Sequence, residues 1–271
     1  MMTIAIQTPM TNGEIFRRLL FRKRSAVADF YPHGLRIDGL TESAEKIAAF
    51  KLMFSCQRLP MSYLFNVGYR YLGQLLVQGP FPSGLMGLIH LSSDYEQHQQ
   101  VDWSQPFDLI VRIDKLKNSK KGITYHLVTE LLQSNDVCLT NFNKILDKAK
   151  GYRSAKTRTI EPPHGQSLSE RVLTARLARD YAKLSGDYNP IHLHPLFAKG
   201  LGLKSSIMHG MYNVHWLLTQ LPPEQHQKSV NARFNQPCYL PNNIELVPLS
   251  EDSYGLYSHE RAQRHLHVVC R

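Results

Sequence analysis

The stretch Ser185-Gly186-Asp187-Tyr188-Asn189-Pro190-Ile191-His192, followed by Ile207-Met208-His209-Gly210-Met211, decides how this chain is to be read. Ahead of it, Leu173, Leu177, Tyr181 and Leu184 share one helical face. Ser167-x-x-Glu170 reads as a capping box that opens that helix. Gly186 permits a sharp exit, and Pro190 keeps Asn189 out of helical geometry. The loop therefore offers a carboxylate, Asp187, and an imidazole, His192, on a stiff backbone. Such a pair can grip one water and exchange its proton. Asn189 cannot titrate, but it can orient a neighbour. A second apolar helix opens near Met208, runs to about Leu221 and is stopped by Pro222-Pro223. The first N–H groups of a helix lack internal partners, so the Gly210 N–H can polarise a carbonyl oxygen.

Working outward, short strand-like segments follow at Val230–Phe234, Ile244–Leu249, Tyr254–Ser258 and Leu266–Cys270. The first half repeats the pattern. Met61 to Gln78 carries Met61, Leu64, Gly68, Leu72, Leu75 and Leu76 at helical spacing, ended by Gly79-Pro80. In Pro106–Lys117, Phe107, Leu109, Val111 and Ile113 alternate with Asp108, Ile110, Arg112 and Asp114. Asn118–Gly122 reads as a turn, Ile123–Gln133 as the next strand and Val137–Leu146 as a third. Residues 147–166, rich in Lys, Arg, Pro and Gly, read as a linker. The expected class is α+β, each half a long apolar helix on an antiparallel sheet. The expected domains are 1–150, with a basic N-terminal extension, and 151–271.

Composition narrows the function. The 271 residues are 42% apolar and 20% charged, as in a globular protein that buries a sizeable core. No apolar run is long enough to span a bilayer, and the start shows no secretory signal, so a cytoplasmic protein without stable membrane insertion is expected. The net charge of +10 is spread over both halves. That suits an anionic partner, and no nucleic-acid motif accompanies it. The basic run from Arg17 to Arg24 reads as an exposed helix face or loop. Cys56, Cys138, Cys238 and Cys270 form no Cys-x-x-Cys pair and read as reduced, buried thiols.

The quoted segments, with Pro195-x-Phe197-Ala198 and Gly202 between them and Phe234-x-x-Pro237-x-x-x-Pro241 after, resemble the signature of the MaoC-like (R)-specific enoyl-CoA hydratases and 3-hydroxyacyl dehydratases. The resemblance covers residues 167–271 well. Residues 60–148 resemble, more weakly, the degenerate N-terminal half of double-hotdog members. It implies a hotdog fold in each half, Asp187 and His192 as the catalytic pair with Asn189 orienting, and the Gly210 N–H on the thioester carbonyl. Tyr188, His209, Met211 and Tyr212 are then expected around the substrate, with Phe197 and Trp216 divided between pocket and core. The substrate would be an acyl thioester of coenzyme A or acyl carrier protein, with no cofactor, no metal and a possible homodimer. Asp94 and His98 have the wrong spacing for a second site and read as surface residues.

Three other readings compete. A hotdog thioesterase needs a carboxylate on or beside the central helix, and Met208–Leu221 has none. A zinc site would use His192, His194, His209 or His215, which are clustered in sequence. A non-catalytic acyl-thioester binder would have lost one member of the pair.

Overall fold

The computed structural model describes residues 2–5, 10–21, 25–84, 87–152, 163 and 165–271. Arg22, Lys23 and Arg24 of the basic run, and residues 153–162 and 164 of the linker, lie outside the described residues. Arg17 and Arg18 are exposed on a helix.

The chain divides into two compact units, Met1–Ala44 with Leu64–Tyr152, and Glu45–Tyr63 with Arg153–Arg271. Residues 45–63, placed in sequence with the first half, group with the second unit.

In the first unit, strand β1 (Met2–Ala5), helix α1 (Asn12–Phe21) and strand β2 (His33–Leu40) precede helix α2 (Ala44–Phe54), which packs in the second unit. A capping box forms at Thr11 and Glu14: the Glu14 N–H donates to Thr11 Oγ1 at 3.2 Å and the Thr11 N–H to Glu14 Oε2 at 2.7 Å. Helix α3 (Tyr63–Gln78) is followed by β3 (Ile89–Gln97), β4 (Phe107–Ser119), β5 (Gly122–Gln133) and β6 (Asp136–Lys148). The strand order is β1-β2-β4-β5-β6-β3, antiparallel apart from the β1–β2 pair. Leu64, Leu72, Leu75 and Leu76 of α3 are buried, and so are Phe107, Leu109, Val111 and Ile113 of β4, as their spacings require. Gly68 brings α3 against the Thr129 side chain of β5.

One face of this sheet holds a buried row of polar side chains. Asn141 Nδ2 donates to Ser93 Oγ, Ser93 Oγ to the Tyr95 hydroxyl, and His90 Nε2 meets Asn143 Oδ1 at 2.9 Å. Asp94 is half-buried on β3, and His98 is exposed and meets Thr140 Oγ1 at 3.1 Å.

The second unit begins, past α2, with strand β7 (Ser169–Leu173) and helix α4 (Ala175–Ser185). This corrects one expectation: Ser167 and Glu170 do not cap a helix. Residues 169–173 pair with a strand instead, and Thr174 is the cap, its side chain accepting the Leu177 N–H at 3.1 Å. Short helices α5 (Pro190–Leu193) and α6 (Pro195–Gly200) lead to α7 (Gly210–Gln220). Strands β8 (Ser229–Phe234), β9 (Asn242–Ser250), β10 (Ser253–Ser258) and β11 (Arg264–Cys270) complete an antiparallel sheet in the order β8-β11-β10-β9-β7. Helix α7 is buried from Met211 through Leu218. A helix apolar on every side is stable only when enclosed, and the sheet supplies the enclosure. Each unit is a hotdog, a helix set against its own curved sheet, and the chain is α+β throughout. No described helix is long and apolar enough to cross a membrane.

Helix α2 joins the second unit through aromatic packing. Phe50 lies 4.5 Å from Phe54, 4.9 Å from Tyr63 and 5.1 Å from His215, centroid to centroid. Phe54 reaches Tyr212 at 5.1 Å. His215 is fully buried, its Nδ1 2.7 Å from Ser62 Oγ, and burial pushes its pKa down to about 3.

That burial has a pH consequence. Unfolding releases His215 to its ordinary value of 6.5, so below that pH the unfolded chain takes up a proton the folded chain refuses. Stability present above about pH 6.5 is lost as the pH falls toward 3. The thermal unfolding midpoint is expected to drop between about pH 7.5 and about pH 5, and Ser62→Ala with His215→Phe to flatten part of that drop. An unchanged slope in the double variant would refute the assignment.

Candidate active site

The loop after α4 is built by hydrogen bonds within the chain. Gly186 adopts a left-handed conformation (φ 76°) that ends α4, and its N–H donates to Ala182 O at 2.9 Å. Ser185 Oγ donates to Tyr181 O and accepts the Asp187 N–H. The Asn189 N–H then donates to Asp187 Oδ1 at 3.2 Å, which holds the carboxylate. Asn189 Oδ1 accepts the Ile191 N–H at 3.3 Å and so caps α5, with Pro190 as its first residue. Asn189 thus orients Asp187 through its backbone and starts the turn that carries His192 through its side chain.

His192 is buried, and its Nδ1 lies 2.9 Å from Ile207 O. A carbonyl can only accept, so Nδ1 carries a proton and the Nε2 edge of the ring is the one left for a ligand. Segment 206–208 is itself fixed: the Met208 N–H donates to Cys238 O at 2.7 Å and the Leu240 N–H to Ser206 O at 2.9 Å.

His209 is 1% exposed and stands at the N-terminus of α7. Its Nε2 lies 3.0 Å from Asp187 O, and its ring stacks on that of His192 at 3.9 Å and 27°. Burial, and next the neighbouring His192, push its pKa down to about 3, so the ring is neutral. One ligand-type atom each of Asp187, His192 and His209 lies within 4.8 Å of the others. His192 Nδ1 and His209 Nε2 already face the Ile207 and Asp187 carbonyls, which leaves one nitrogen of each ring to meet a water or an ion. His194 is exposed, its Nδ1 accepting the Leu196 N–H to cap α6, and His215 faces Ser62.

Gly210 opens α7, and the residue before it makes no side-chain cap. The first N–H groups therefore have no acceptor inside the helix. The glycine is required by a neighbour: a Cβ here would stand 2.8 Å from Phe234 Cε1 and 3.0 Å from Phe234 Cδ1. The strand-end Phe234, noted in sequence only as part of a motif, sets the room around this backbone.

The other expected contacts divide. Tyr188 is exposed beside Asp187. Met211, Tyr212 and Trp216 are buried along α7, with the Tyr212 hydroxyl accepting from Arg171 Nε at 3.2 Å, while Phe197 is exposed on α6. Asn213, one turn after His209, is a buried polar residue of α7 that sequence reading passed over, and its Oδ1 has no hydrogen-bond partner. Its signal was the one amide in an otherwise apolar turn.

Residues 156–252 match the family model described as "MaoC like domain". A 3-hydroxyacyl-thioester dehydratase X of Mycobacterium tuberculosis is 28% identical over 204 residues, covering 72% of this chain and 71% of that protein. Among solved structures, HtdX of Mycobacterium tuberculosis superposes with a TM-score of 0.76 at 23% identity, covering 87% of this chain and 98% of that one. A further Mycobacterium tuberculosis protein described as having a double hotdog fold gives 0.55 at 10% identity, covering 92% of this chain and 96% of that one. The structural likenesses show the fold.

The Gly210 geometry is testable by a double-mutant cycle. Gly210→Ala is expected to cost about 1–3 kcal/mol by overpacking. In a Phe234→Val background, which removes the contacting ring atoms, the cost should shrink markedly. Additive effects in urea unfolding would refute the contact.

Proposed function

We propose, from the match of residues 156–252 to the MaoC-like domain model, a hydro-lyase that reversibly hydrates trans-2-enoyl thioesters to (3R)-3-hydroxyacyl thioesters in fatty-acid metabolism. The observation that carries the reading is the convergence of the Asp187 carboxylate and the His192 imidazole within 4.8 Å, beside the uncapped start of α7. The similarity to a 3-hydroxyacyl-thioester dehydratase supports it.

In the hydration direction a water sits between Asp187 and His192 Nε2, one hydrogen directed at each. Asp187 takes a proton as the water oxygen bonds to C3 of the enoyl group. The thioester oxygen gains negative charge, and the Gly210 N–H stabilises it. The dyad returns one proton to C2 on the same face, so water is consumed and the side chains end as they began. Dehydration is the reverse. Asn189 keeps the carboxylate aimed, and Tyr188, Met211 and Tyr212 belong to the substrate's surroundings in this reading. Coenzyme A and the phosphopantetheine arm of acyl carrier protein present the same reacting end, and the +10 charge suits both anionic carriers.

The thioesterase alternative lacks its acid: α7 carries no carboxylate, and Glu224 lies beyond it in a separate 3-10 turn, Pro223–His226.

The test is loss of enoyl absorbance with crotonyl-CoA, a longer 2-enoyl-CoA and a 2-enoyl acyl carrier protein. Asp187→Asn and His192→Ala are each expected to lower kcat by about a hundredfold or more. Near-full activity in either variant, or release of free thiol in place of hydration, would overturn the proposal.

A further inference from the structure

We infer that His209 is a positioning residue for this site: its Nε2–H tethers the Asp187 backbone while its ring forms the surface on which His192 stacks, so one rigid imidazole registers both dyad residues against each other. The inference rests on the proposed hydratase reading.

Three observations carry it. The Nε2 to Asp187 O distance is 3.0 Å, and because the carbonyl can only accept, the proton sits on Nε2. The His192 ring is stacked at 3.9 Å, and Tyr181 closes another side edge-on at 4.9 Å, so the imidazole has no freedom to tilt. The remaining nitrogen, Nδ1, is buried without a partner, as a lone pair in the neutral ring would be. Asp187 and His192, from the loop and α5, and Tyr181, from α4, face His209. Burial, and next the neighbouring His192, oppose the protonated form of His209. Since the ring is 1% exposed and its only donor is directed at Asp187 O, His209 acts on substrate through the dyad and not by touching it.

The geometry separates two substitutions. The side-chain amide of Gln can replace an Nε2–H donor, whereas Phe keeps the stack and removes the donor. His209→Phe is expected to lower kcat about thirtyfold with KM within about twofold, because a displaced carboxylate costs rate more than binding. His209→Gln is expected to stay within about fivefold of wild-type kcat even if its thermal midpoint is the lower of the two. A residue that merely filled space would give the opposite order. Equal activity of the two variants, whether high or low, overturns the inference.

A second measurement does not depend on turnover. In 15N-histidine spectra of the wild-type chain, His209 should remain a neutral Nε2–H tautomer from about pH 8 to about pH 5. Protonation in that range, or the Nδ1–H tautomer, overturns the inference. Wild-type protein that passes this test yet hydrates no enoyl thioester would instead remove the proposed function.

Discussion

Helix α7 is buried from Met211 to Leu218, and a helix so placed cannot hydrate its own ends. At the C-terminus the Leu221 N–H turns back to Leu218 O. At the N-terminus His209 supplies no capping side chain, and the first N–H groups need an oxygen from outside the helix. A buried helix start without its own acceptor is a place where a polarised carbonyl is stabilised. The loop that returns to this point brings Asp187 and His192, and the neighbouring strand end brings Phe234 so close that a side chain at position 210 would displace its ring. The proposed water chemistry at a thioester draws on that arrangement.

The two units use the same architecture differently. In the first, Ser93, Tyr95, Asn141 and Asn143 hydrogen-bond among themselves. In the second, polar side chains are tied to the backbone of the site itself. His192 is tied through Nδ1, and Asp187 is held by the Asn189 N–H. Fixing one end of each side chain lowers the reorganisation needed when charge develops.

Much of this was legible in the sequence where period and burial agree. The alternation of Phe107, Leu109, Val111 and Ile113 became the buried face of β4, and the largely apolar run after Gly210 became α7. The loop residues Asp187, Asn189 and His192 were readable because Gly186 and Pro190 constrain the backbone around them. Ser167-x-x-Glu170 misled because a capping box is a local pattern, while β7 is set by pairing with β9, far away in sequence. The same pattern at Thr11 and Glu14 does form a box, where no strand competes. The role of Phe234 was illegible, since it depends on a ring approaching a backbone from another element. So was the membership of α2 in the second unit, which comes from aromatic contacts with α4 and α7.

That membership bears on how the chain comes off the ribosome. Arg171 reaches Met53 O across 118 positions of sequence, and Phe54 rests against Tyr181 and Tyr212 farther still. Synthesis delivers residues 45–63 long before these partners exist, so Phe50 and Phe54 emerge as an apolar face with nothing yet to cover it. The two hotdogs therefore cannot mature as independent beads in order of synthesis. The later one completes its aromatic core only by recruiting a piece of chain made first, and a gene encoding residues 151–271 alone would omit part of that core.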